Sequence, residues 1–162
     1  MNGEYIRQLS RDELLERAMP FLAEAGVGAG ADRDFLANVV ALEQEKYKLL
    51  ADIPRLVDFF FTAEVAFDEK AVQKVLRKDG TGKVLEGVRA RYSALADFTE
   101  AALEKEARAF AADSNLKSGQ VFDLLRVAVS GRTEGPTLFR MLEYLGREKV
   151  LRRLERALPL CV

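Results

Sequence analysis

Between its glycines and prolines this sequence repeats apolar residues every three or four positions, the period of a helix with one buried face, and it offers no convincing strand. A chain patterned in this way has to bury those stripes against one another. The expected fold is therefore all-α: a helical bundle of two packed helical subdomains without a sheet, residues 1–66 forming the first and residues 67–162 the second. With 162 residues, 49% of them hydrophobic, the chain can fill such a core. Its apolar stretches fall short of the roughly 20 residues that cross a bilayer, and its first residues lack the pattern of a secretory signal. A cytoplasmic monomer with no membrane partner is the expectation.

Start and stop signals divide the pattern. Ser10 and Glu13 have capping-box spacing and Leu9 and Leu14 form an apolar staple, so a helix should begin at Arg11. It carries Leu14, Ala18, Phe21, Leu22 and Ala25 on one face, should bend or restart at Pro20, and ends in the loop of Gly26, Gly28 and Gly30. A second helix, residues 32–49, presents Phe35, Val39, Leu42 and Leu49 to a core, with Lys46 on or beside the same stripe. Asp52 is a cap for a short helix with Pro54 in its first turn. Phe59, Phe60 and Phe61 supply enough apolar area to be read as a buried joint between the subdomains. After an extended stretch, 62–67, Asp68 opens a helix with Val72, Val75 and Leu76. Two longer helices follow, one with Val84, Leu85, Val88, Tyr92 and Leu95, the other capped by Thr99 and bearing Leu103, Ala107 and Phe110. The last third reads as helices over 118–129, 136–145 and 148–158, with Pro136 as a first-turn proline.

Hydrolytic or metal-assisted catalysis by this chain alone is not expected. It has no histidine, which removes the commonest general base and zinc ligand, and its single cysteine, Cys161, allows neither an internal disulfide nor a thiolate metal cluster. The Gly-Thr-Gly-Lys sequence at residues 80–83 is too short for a phosphate-binding P-loop and follows a predicted helix, so it is a connector. With 25 Lys and Arg against 26 Asp and Glu, the balance argues mildly against a generic nucleic-acid binder, yet Arg147, Lys149, Arg152, Arg153 and Arg156 crowd one segment. The run Glu104, Lys105, Glu106 is solvated surface.

Two passages point further. Asn2-Gly3-Glu4-Tyr5-Ile6-Arg7 with Leu9 is similar to the segment that follows the catalytic half in bacterial-type glutamyl-tRNA synthetases. Gly119-Gln120-Val121-Phe122, Leu125 to Arg132, Pro136-x-Leu138-Phe139, and Leu142 to Leu154 resemble that family's C-terminal anticodon-binding region in order and spacing. The resemblance implies a class I aminoacyl-tRNA synthetase that joins glutamate to tRNA, with ATP and Mg used in a catalytic half upstream. This chain has neither the HIGH nor the KMSKS signature of that half, and no cofactor is expected in it. The implied partner is tRNA(Glu), with tRNA(Gln) as a second candidate.

Anticodon bases are unpaired and splayed, and proteins read them by hydrogen bonds to exposed edges and by stacking on planar groups. Arg126 matches the arginine of the family's Leu-Arg-Val-Ala motif, which reads the anticodon together with the start of the next helix. Those positions are Gly135, Pro136, Thr137 and Leu138 here. A helix beginning at Pro136 would direct backbone N–H groups outward, and Leu138 could touch a base. Gly135 departs from the Ser or Thr that family members often carry, which removes a hydroxyl contact. Lys46, in Glu45-Lys46, takes the place of an arginine that contributes to reading the third anticodon base, and a lysine discriminates less sharply. Arg132, Arg147, Arg152 and Arg153 are candidates for phosphate contacts. The alternatives are a surface ion pair of Arg126 with Asp123, a solvated Lys46, and a solvated terminal helix. At the level of the whole chain, a free-standing RNA-binding paralogue and a helical protein-interaction module built on Phe59 to Phe61 stay open.

Overall fold

The computed structural model describes residues 3–162, so Asn2 of the first passage lies outside the described residues. Among these residues there are ten α-helices and no strand: α1 Gly3–Gln8, α2 Arg11–Ala25, α3 Arg33–Ala41, α4 Ile53–Val57, α5 Glu69–Ala71 continued by a π-helical turn Val72–Leu76, α6 Thr81–Ala94, α7 Glu100–Asp113, α8 Ser118–Ser130, α9 Leu138–Leu145 and α10 Arg147–Ala157. The chain divides into two compact units between Ala63 and Glu64.

In the first unit α2 packs on α3 and α4, burying Leu14, Leu15, Ala18 and Leu22 against Leu36, Val39, Val40 and Val57. Its start follows the sequence: the Ser10 hydroxyl accepts from the Glu13 N–H at 3.2 Å. Pro20 does not break it, and α2 runs on to a left-handed Gly26. Pro20 is on the solvent side of the helix, next to the equally exposed Glu16, where a missing backbone bond costs least. The second helix, by contrast, stops eight residues early, at Ala41. Tertiary bonds fix that break. The Gln44 side-chain amide donates to the carbonyls of Ile6 at 2.8 Å and Leu9 at 2.7 Å, and the Tyr47 phenol donates to Val40 O at 2.8 Å. Leu49, expected in the core, is 52% exposed. Asp52 does not cap α4: its carboxylate reaches back to the Leu49 N–H at 3.2 Å. Phe59 and Phe60 are buried, and Phe61 meets the Phe35 ring edge-on at 6.0 Å.

In the second unit α8 is the central helix, packed by α6, α7, α10 and the π-helical turn. Asp68 and Thr99 cap α5 and α7 as their sequence positions suggest, at 3.1 and 3.3 Å. The Gly-Thr-Gly-Lys connector starts α6 and is tied to the chain's end, where Gly82 N–H donates to Val162 O and Val162 N–H to the Thr81 hydroxyl, both at 3.3 Å. One glycine here is required by a close approach. Gly131 ends α8 at φ +76°, and a Cβ there would run into the carbonyl of Ala66.

Candidate functional site

Residues 122, 126 and 130 of α8 are four apart and therefore form one row. At the middle of that row the half-buried Arg126 donates from Nη1 to the carbonyl of Pro136 at 2.7 Å. Gly135 makes room for this: a Cβ at 135 would lie 3.2 Å from Arg126 Nη1. At the end of the row the buried Ser130 hydroxyl donates to Arg126 O at 2.7 Å and accepts from the Arg132 N–H at 3.2 Å, which fixes the departure of the chain toward Arg132. At its beginning Phe122 meets Phe139 of α9 edge to face, with centroids 4.9 Å apart, and Arg108 of α7 lies over the Phe122 ring at 5.1 Å. Arg126 and the Gly135–Pro136 turn are thus brought together, with Phe122 and Phe139 holding the next helix beside them.

Helix α9 begins at Leu138, two residues later than expected. The Pro136 carbonyl is directed to Arg126 instead of into a helix, and Pro136 itself is buried. One assignment changes as a result. Thr137 is the exposed residue ahead of the helix, whereas Leu138 is only 5% exposed, so an apolar contact from Leu138 to a base is not available on this surface.

Lys46 lies on a short 3₁₀ turn, Gln44–Lys46, with its side chain 62% exposed and 3.5 Å from the buried Glu43 carboxylate. It belongs to the first unit and Arg126 to the second. The four remaining arginines divide by environment. Arg153, 2% exposed, donates to Val129 O at 2.7 Å, and burial lowers its guanidinium pKa to about 10. Arg147 donates to Tyr92 O at 2.9 Å and Leu95 O at 2.6 Å, over the ring of Phe98. Both arginines donate to carbonyls at or just beyond the C-terminal ends of helices, α8 and α6, the Tyr92 carbonyl accepting from the Leu95 N–H as well. Arg153 is therefore corrected from a surface cation to a core residue. Arg152 is exposed and paired with Glu148 at 2.8 Å, and Arg132 is half-buried. The sequence reading did not single out the Phe122, Phe139 and Arg108 stack as part of the site. The spacing of four between Phe122 and Arg126 was its only signal.

No group of three or more His, Cys, Asp or Glu able to hold a metal occurs among the described residues, and no described helix is long and apolar enough to cross a membrane.

Comparison with known proteins gives a consistent result. Residues 13–158 match the family described as anticodon binding domain. The chain is 48% identical over 158 residues to a glutamate–tRNA ligase of Elusimicrobium minutum, covering 97% of this chain and 32% of that protein. To a glutamate–tRNA ligase of Thermus thermophilus it is 42% identical over 159 residues, covering 98% and 33% respectively. It spans about a third of the length of these relatives. Among solved structures, a glutamate–tRNA ligase from Elizabethkingia meningosepticum superposes with a TM-score of 0.86 at 26% identity, over 98% of this chain and 31% of that one.

Proposed function

This chain belongs to the anticodon-binding domain family, and from that membership we propose that it reads the anticodon of a glutamate-accepting tRNA as the non-catalytic part of a glutamate–tRNA ligase. The observation that carries the reading is the Arg126 guanidinium against the Pro136 carbonyl. It puts a planar cation next to the exposed Thr137 and the backbone of Gly135 and Pro136, a combination that can stack on a base and bond its edge. Lys46, exposed on the first unit, is a separate candidate donor. Arg132 and Arg152 are the members of the arginine set that suit phosphate contacts, while Arg147 and Arg153 act in folding. In this reading the ATP and magnesium of the joining reaction belong to a catalytic half, and no step of the chemistry is assigned to this chain. The protein acts as a cytoplasmic monomer in this reading. A protein-interaction module built on Phe59 to Phe61 is disfavoured by the burial of Phe59 and Phe60.

The test is binding of an anticodon stem-loop of tRNA(Glu), and of its tRNA(Gln) counterpart, by the wild type and by Arg126→Ala. The variant should lose about 1 to 3 kcal/mol for the cognate base and little for a mismatched one. Equal affinity and equal base preference in the two proteins would remove Arg126 from the reading site.

A further inference from the structure

The basic residues of the second unit are distributed unevenly once their partners are known. Arg89, Arg91, Arg108, Arg140, Arg152 and Arg156 each lie in an ion pair with a carboxylate. Arg147 and Arg153 are bound to backbone carbonyls. Residues 69–83 differ. They hold Lys70, Lys74, Arg77, Lys78 and Lys83 against the acids Glu69 and Asp79, a local excess of three positive charges in a chain whose net charge is −1. All five cations are exposed. Among the described residues none of the five is within ion-pair distance of a carboxylate.

Their arrangement follows from the helix. Ala71, Val72 and Leu76 of α5 and its π-helical turn are buried, which anchors one side against α8. Lys70 and Lys74, four apart, lie on the side away from those buried residues, and Arg77 and Lys78 follow directly at the end of the π-helical turn. The strip is also held at a defined place. Asp68 caps α5 through the Ala71 N–H, and its own N–H donates to Gly131 O at 2.9 Å. Gly131 directly follows the last residue of α8, five residues or about 7.5 Å of helix rise beyond Arg126. We propose that this strip, Lys70, Lys74, Arg77 and Lys78 with Lys83 beside it, is a contact surface for the phosphate backbone of RNA bound at the Arg126 site.

The inference rests on the anticodon reading and adds to it the part of the surface that supplies sequence-independent affinity. Unneutralised exposed lysines suit that task, because a phosphate needs a point charge and carries no base information. A membrane surface fits less well. An interfacial helix needs an apolar face directed outward, and α5 directs its apolar residues inward.

The experiment measures binding of whole tRNA(Glu) by this chain as a function of salt, for the wild type, Lys70→Gln/Lys74→Gln, and Lys105→Gln, an exposed lysine on α7. Removing two phosphate contacts should lower the magnitude of the slope of log affinity against log salt by about 1.4 to 1.8, leave base preference intact, and weaken binding at low salt at least ten-fold. Lys105→Gln should leave the slope unchanged. Unchanged slope and affinity in the strip variant, with circular dichroism and Tm intact, would overturn the proposal. So would an equal effect per charge from Lys105→Gln, or a strip variant that loses adsorption to vesicles of anionic phospholipid while tRNA binding is unaffected. Failure of the wild type to bind tRNA would instead sink the anticodon reading on which the proposal stands, an outcome distinct from these.

Discussion

Arg126 depends on a residue with no side chain. The bond from its Nη1 to the Pro136 carbonyl is 2.7 Å long, and the space that a Cβ at 135 would occupy ends 3.2 Å from the same nitrogen. Gly135→Ala should therefore push the guanidinium aside by a few tenths of an ångström without straining the turn. The expected outcome is a loss of cognate stem-loop affinity on the order of 1 kcal/mol in the Arg126 protein and none in the Arg126→Ala background, a coupling that a double-mutant cycle measures directly. Equal losses in both backgrounds would mean that Gly135 acts through the turn itself. Lys46 has a different neighbour, a Glu43 carboxylate only 4% exposed, so its charge is partly answered before any RNA arrives.

At the scale of elements, the arginines near the end of the chain serve the helices that they close. Helix α8 ends against α10 in the interior, where water cannot reach the Val129 carbonyl, and Arg153 supplies the donor. Arg153→Ala removes that donor and leaves a void, and it should destabilise the second unit by about 2 to 5 kcal/mol, read as a fall in Tm. The salt dependence of tRNA binding by the folded variant should match the wild type. A changed slope with unchanged Tm would return Arg153 to the list of phosphate contacts. Helix boundaries respond to the same kind of long-range bond. The α3 helix stops where Gln44 and Tyr47 find partners, and α9 starts late because the carbonyl before it is claimed by α8.

For the molecule as a whole, each unit contains one fully buried tyrosine that ties separate elements together. Tyr47 donates to Val40 O, and Tyr92 of α6 donates to Leu103 O of α7 at 3.0 Å. Burial raises both phenol pKa values above the usual 10, with a smaller contribution from Glu43 at Tyr47 and from Glu106 at Tyr92. A raised folded-state pKa means that the native form keeps its phenolic protons after the unfolded chain has lost them. The stabilisation is thus complete below about pH 10 and is lost as the pH rises above it. Denaturant midpoints should fall steadily in that range, with the phenolate absorbance of Tyr47 and Tyr92 appearing only on unfolding. A Tyr47→Phe, Tyr92→Phe chain that shows the same alkaline loss would assign it to other groups.

What the sequence determined by itself was local. Helix class, the caps at Ser10, Asp68 and Thr99, the glycine stops and most helix spans follow from periodicity and from side chains that bond their own backbone a turn away. The residues around Arg126 were legible as well, because motif spacing on one helix and the turn after it survives in the sequence. Tertiary structure alone decided which cations face water. Arg152 and Arg153 are neighbours in the chain, yet one is on the surface and the other in the core, since consecutive residues on a helix point about 100° apart and only the packing of α10 on α8 says which side is buried. Tertiary packing also turned Leu138 inward and left Lys70 and Lys74 without a carboxylate to answer them.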